Sequence, residues 1–232
     1  MPTPKFDALV AKVRDWANKP EVNTIPDSVI KDCLNYSADF CYQKLRTPQL
    51  EHTQNHTVIS GNNINTNKAY TQFDVPASLI EFLSIRCVSP VGNSYRFVET
   101  LDKKGFFEQY KSLDNTYSWM WRDESIYIYP QLPVGAVVES TFYRKLGALD
   151  SSDNGGVETY NWLRDDKEYI LLWGSLSYLF AYLFDDTSKI RYKEMALENI
   201  DMLNAKEDKA RSLLPLDIKQ TIAAQNTRKV TV

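Results

Sequence analysis

The densest run of oxygen-bearing side chains is Asp150-Ser151-Ser152-Asp153-Asn154-Gly155-Gly156-Val157-Glu158-Thr159-Tyr160-Asn161. Oxygens at its first, third and fifth positions, Gly at the sixth and Val at the eighth echo a calcium loop. The twelfth position holds Asn161 instead of a bidentate Glu, and a strand rather than a helix precedes it. A flexible polar loop is the plainer reading. His52 and His56 are four apart, a spacing that shares a metal only on a helix. Their neighbours read as loop or strand. The acidic pairs Asp123-Glu124, Asp165-Asp166 and Asp185-Asp186 fall at predicted turns or helix starts, where the helix dipole favours acids. Nothing selects two of them as a catalytic pair. Nucleophile-elbow, P-loop and dinucleotide-binding glycine patterns do not occur. The expectation is a protein without catalysis, metal or cofactor.

Contact chemistry is better represented. The 232 residues include 14 Tyr, 10 Phe and 5 Trp against 8 Gly, 2 His and 3 Cys. Tyr117, Trp119, Trp121, Tyr127 and Tyr129 gather on one predicted hairpin around Asp123-Glu124. Such a ladder is either a core face or an exposed platform. Sugars, single-stranded nucleic acid and protein partners all use aromatic platforms. A net charge of −3 argues against nucleic acid, which proteins hold with a basic surplus, so protein contact comes next. Cys33 and Cys41, if helical, lie roughly 12 Å apart along the axis, too far for a disulfide. With Cys87 they read as small core residues.

Helices and strands must position these groups. Phe6, Leu9, Val10, Val13, Trp16 and Ala17 follow a helical stripe, and a second helix runs from Pro26-Asp27 to before Pro48. Residues 49–74 are polar, with Gly61-Asn62-Asn63 as a loop tip. Leu83, Ile85 and Cys87 alternate as a strand, and Lys103–Tyr110 reads as a short helix. Three strands over 117–146 form an antiparallel meander. After a polar loop come a helix over 166–184, apolar nearly all round and therefore central, and an amphipathic helix over 187–209 capped by Asp186 or Thr187. The apolar run 169–184 is too short for a bilayer, which needs ~20 residues. Met1–Phe6 lacks the apolar core of a signal peptide. Trp16, Trp162, Trp173 and the Tyr and Phe residues of 169–184 are assigned to the helical core. The fold class is α+β. Residues 1–48 and 159–211 make one helical bundle, 49–158 an inserted antiparallel β meander or sandwich, and 212–232 an extended C-terminal tail. That tail holds Leu213, Leu214, Leu216, Ile218 and Ile222 and a basic surplus that includes Arg228 and Lys229.

Three stretches carry a resemblance. They are the opening helix pair with Ile25-Pro26-Asp27-Ser28-Val29-Ile30; the block Phe73-Asp74-Val75-Pro76-Ala77-Ser78-Leu79 with Ile126-Tyr127-Ile128-Tyr129-Pro130 and Thr141-Phe142-Tyr143-Arg144; and the closing helix pair 165–209. Over most of 1–210 the chain resembles the head-to-tail adaptor (connector, tail tubular A-like) proteins of tailed bacteriophages. The resemblance implies a structural virion protein, made in the host cytoplasm and never membrane-bound. It implies a ring, usually a dodecamer, below the portal protein, with a tail nozzle or other tail proteins docked beyond it. Genome DNA passes through the lumen without specific binding. By the same likeness Leu213, Leu214, Leu216, Ile218, Ile222, Arg228 and Lys229 would dock on the portal, and Tyr117, Trp119, Trp121, Tyr127 and Tyr129 on a neighbouring subunit or the tail. The alternative function is an aromatic-rich carbohydrate-binding module of a tail or surface protein.

Overall fold

The computed structural model describes residues 5–60, 63–64, 70–89, 96–100, 116–122, 124–150 and 160–212. These form two compact units, one of residues 5–50 with 145–212 and one of residues 51–144.

The first unit is helical. Helix α1 spans Lys5–Ala17 and buries Phe6, Leu9, Val10 and Val13, one stripe at helical spacing. A short 3-10 turn, Pro20–Thr24, leads to α2, Asp27–Lys44. The chain returns through α3, Trp162–Asp165, then α4, Glu168–Tyr182, and α5, Asp186–Ser212. Helix α4 lies centrally, packed against α1, α2 and α5, as its all-round apolar sequence requires. It buries Ile170, Leu171, Leu172, Leu176, Leu179 and Phe180. Gly174 lets α2 and α4 approach closely: a Cβ there would collide with the Ser37 hydroxyl. Ser37 is itself buried and donates to the Leu171 carbonyl at 3.0 Å. Asn204 of α5 fastens the end of α2, accepting from the Arg46 amide at 2.8 Å and donating to the Lys44 carbonyl at 3.0 Å. Asp185, rather than Asp186 or Thr187, caps α5, because its carboxylate is the one that accepts from the Ser188 amide, at 3.1 Å.

The second unit is a β sandwich. Its strands are β1 Glu51–Thr57, β2 Asn63–Ile64, β3 Tyr70–Asp74, β4 Leu79–Ser89, β5 Arg96–Glu99, β6 Thr116–Arg122, β7 Ser125–Tyr129 and β8 Val137–Arg144. Three make an antiparallel sheet in the order β1-β8-β4; five make a sheet in the order β2-β3-β7-β6-β5. The β5–β6 pair is parallel. Both sheets feed one core, with Phe73, Trp119, Ile126 and Ile128 from the larger and Ile85, Val138 and Phe142 from the smaller. Phe82 bridges them edge-on, 5.3 Å from the Trp119 ring and 5.9 Å from Phe142.

Two expectations change here. Strands β6 and β7 form the expected hairpin, and Glu124 at its turn takes the left-handed φ of 59° that short hairpin turns demand. The third strand of the meander, however, belongs to the other sheet. Strand β5 occupies the free edge of β6 and β3 that of β7, so β8 finds its partners in β1 and β4. The expected alternation through Leu83, Ile85 and Cys87 is also broken. The pairing register slips between Phe82 and Ser84, which leaves Leu83 41% exposed while Phe82 and Ile85 turn inward. Of the expected loop tip Gly61-Asn62-Asn63, Asn63 begins β2 instead, and Gly61, Asn62 and the helix expected over 103–110 lie outside the described residues.

Candidate functional site

The hairpin ladder does not stay on one face. Tyr117 and Trp119 are 9% and 6% exposed and belong to the sandwich core. Strand pairing sets Trp119 opposite Ile128 and Trp121 opposite Ile126, whereas Tyr127 opposes Met120 and Tyr129 opposes Ser118. Side chains alternate along a strand, so Tyr127 and Tyr129 point away from the core. Both are half-buried, and Tyr127 meets Tyr70 at 5.6 Å. Trp121, 43% exposed, remains on the inner side at its rim, 5.6 Å from Phe82. The five rings therefore do not make a flat stacking platform. The core takes two, the outer face two, and Trp121 alone of the five keeps a large exposed surface.

The exposed aromatic surface lies on the helical unit instead. Tyr36 is 58% exposed. Of the rings of 169–184 assigned to the core, Phe180 is buried but Tyr178, Tyr182 and Phe184 are 38%, 56% and 93% exposed, because Tyr178 and Tyr182 share the outer face of α4 and Phe184 lies past its end. Tyr36 meets Tyr178 across α2 and α4 at 5.8 Å. Beside them Phe40, Gly174, Tyr178 and Ala181 line a groove of about 190 Å³, together with Lys189 and Lys193. Trp162 is buried as expected, but Trp16 is 45% exposed, because it lies at the last turn of α1 and covers Trp173 at 4.6 Å from the unit's edge. The sequence carries one signal for this surface. Tyr36 and Phe40, and Tyr178 and Tyr182, are four-residue repeats on helices, which place each pair on one face.

The candidate metal and acid–base groups have structural occupations. His52 and His56 stand on β1, so four residues of strand hold them about 13 Å apart, beyond the reach of a shared ion. The His56 ring is buried against Phe73 at 5.0 Å and within 3.0 Å of the Ser140 hydroxyl, and burial lowers its pKa. Asn161, the twelfth position of the calcium-like run, caps α3: its side-chain oxygen accepts from the Leu163 and Arg164 amides at 3.1 and 3.2 Å. Its amide nitrogen donates to the Tyr42 hydroxyl at 3.2 Å and the Gly147 carbonyl at 2.8 Å. Residues 151–159 of that run, and Asp123, lie outside the described residues. Among the described residues no three His, Cys, Asp or Glu side chains converge as a metal site would require.

Asp165 forms a fork with Arg164 at 3.0 and 3.1 Å and takes the Lys5 ammonium at 3.0 Å. Burial alone would raise its pKa. Hydrogen bonds from Arg164, the Asn161 amide and Lys5 overcome that and bring it to about 2. Asp185 is likewise held at about 2 by Lys19 and by the Ser188 amide and hydroxyl. Carboxylates so firmly ionised make poor proton donors or acceptors near neutrality. Cys33 and Cys41 are free, and burial pushes their thiols up to about 11 and about 12. A thiol so rarely ionised is a poor nucleophile. No helix among the described residues is long and apolar enough to cross a membrane. Leu213, Leu214, Leu216, Ile218, Ile222, Arg228 and Lys229 lie outside the described residues.

The side chains thus present contact surfaces over two compact units. Comparison with curated proteins gives no match. The family model described as SU10 adaptor protein matches residues 4–218, which takes in both units. Over that length the chain belongs to the SU10 adaptor protein family, the structural adaptors of bacteriophage particles.

Proposed function

We propose that this chain is the repeating subunit of a ring between the portal and the tail, with the genome passing through its lumen. The observation that carries this reading is the family match over residues 4–218, which spans the helical unit and the sandwich alike. The surface supports it. Exposed rings on helices α2 and α4 supply the large rigid side chains that protein interfaces favour. A net charge of −3 per copy makes a ring acidic, and an acidic lumen repels phosphates, so DNA slides through it unbound. The apolar and basic tail after α5 is the segment that docks on the portal. With Tyr117 and Trp119 in the core and Tyr127 and Tyr129 half-buried on the outer face, Trp121 is the one ring of the ladder that keeps a large exposed surface for the carbohydrate-binding alternative.

Removing residues 213–232 tests the docking role. The expected outcome is an unchanged thermal transition together with at least tenfold weaker capture by immobilised portal. Undiminished capture would overturn the assignment of the tail.

A further inference from the structure

The turn between α4 and α5 carries a side chain that its own fold does not need. Phe184 is 93% exposed and takes a φ of 57°. It occupies the position just past the end of α4 in a Schellman motif. The Asp185 amide donates to the Phe180 carbonyl at 2.9 Å and the Phe184 amide to the Ala181 carbonyl at 3.2 Å. Glycine is the default residue there, because left-handed backbone crowds a Cβ by about 1–2 kcal/mol. Phenylalanine bears that steric cost and leaves nearly a whole ring in water. A feature with two local costs and no packing return inside its unit points to a contact outside it.

The same chain holds a matching receptor. The groove bounded by Phe40, Tyr178, Ala181, Lys189 and Lys193 has a volume of about 190 Å³. Ligand pockets typically run ~300–1,000 Å³, so this one suits a single large side chain. Its charge also matches. Phe184 is followed by Asp185, which Lys19 holds, and by Asp186, which pairs with Lys189 of its own chain at 3.2 Å yet keeps its side chain 80% exposed. The groove is flanked by Lys189 and Lys193, and Lys193 has no ion pair among the described residues. The chain's own tail suits it poorly, since Arg211, Lys219, Arg228 and Lys229 make that segment basic.

We infer that Phe184 of one copy seats in this groove of a second copy, with the acidic flank of the knob facing Lys193. Knob and groove are adjacent but distinct patches of one chain: Ala181, whose carbonyl accepts from the Phe184 amide, lines the groove, and the Phe184 ring stands outside it in water. That is the requirement for a heterologous contact, which passes from copy to copy and closes when the rotation fits. The inference rests on the ring reading above and names one contact that would build it.

The decisive variant is Phe184→Gly, because glycine suits the turn. Its thermal midpoint should hold or rise, while self-association, measured where the parent protein assembles, should weaken at least tenfold, as for a central aromatic anchor. Lys193→Glu, which leaves the turn untouched, should weaken it in the same direction. A photo-crosslinking phenylalanine analogue at position 184, in a mixture of heavy- and light-isotope copies, should give mixed-label products on peptides bearing Tyr178, Ala181 or Lys193. If Phe184→Gly assembles like the parent, or the crosslinks stay within one chain, this contact is wrong and the ring reading stands. If the parent protein itself stays single-copy, alone and with portal, the ring reading falls and takes this contact with it.

Discussion

Arg164 is a deeply buried charge, with its side chain 1% exposed and its Asp165 partner 5% exposed. Their fork, completed by the Arg164 bond to the Leu149 carbonyl at 2.7 Å, ties residues 145–150 to α3. Removing one member of a buried pair leaves the other charge uncompensated, which costs about 3–5 kcal/mol. Asp165→Asn should therefore lower the urea unfolding free energy by that amount. The depressed carboxylate adds a pH signature: its stability is full above the ordinary carboxylate value and is lost as pH falls through about 2. His56 acts in a higher window. Burial lowers its folded pKa, so the unfolded chain binds the proton first, at about 6.5. Stability should be full at pH 7.5 and fall as pH drops through the lower folded value. His56→Gln should flatten the change between pH 7.5 and 5 in the denaturant midpoint. Neither role is legible in the sequence. A histidine pair and an acidic pair look the same whether they ligate, catalyse or brace a fold. Strand placement and the neighbouring arginine decide between those uses.

At the scale of elements the helices are easier to read than the strands. The stripes of α1, α2 and α4 come from short-range periodicity, and their bounds fall within a few residues of expectation. The α+β class follows from the same periodicity. Strand partners depend on long-range pairing, which periodicity does not carry, and so the pattern sets β8 beside β7 although it pairs with β1 and β4. The slips along β4 likewise hide its inward side from a simple alternation count. Helical aromatics mislead in the opposite way. Tyr36 and Tyr178 look like core residues by type, yet they sit on an exposed face, while Trp119 of the hairpin is the buried ring. That contrast is measurable. Trp119→Ala should cost about 3–5 kcal/mol, as for large aromatic truncations in cores, and Trp121→Ala clearly less. If Trp121→Ala unfolds the chain as readily, Trp121 is core as well. Gly174 offers a test whose sign is diagnostic. Helix propensity alone predicts that Gly174→Ala stabilises by about 0.5–1 kcal/mol. The new Cβ would collide with the Ser37 hydroxyl and stand 3.0 Å from the Ser37 Cβ. The close approach of α2 and α4 therefore predicts a loss of about 1–3 kcal/mol instead.

For the whole molecule, the family placement explains why the chemistry-bearing residues are occupied by the fold while large rings remain exposed. A subunit of an assembly needs matched surfaces, and each can be weak singly yet strong when many copies engage at once. The most direct test of the ring is the native mass of the purified 26.8 kDa chain, alone and mixed with the portal assembly of its own phage. A ring subunit should give a complex of fixed stoichiometry in which many copies join one portal assembly, formed cooperatively and lost on removal of residues 213–232. A chain that stays at its monomer mass at every ratio, with the portal species unshifted, would contradict the ring.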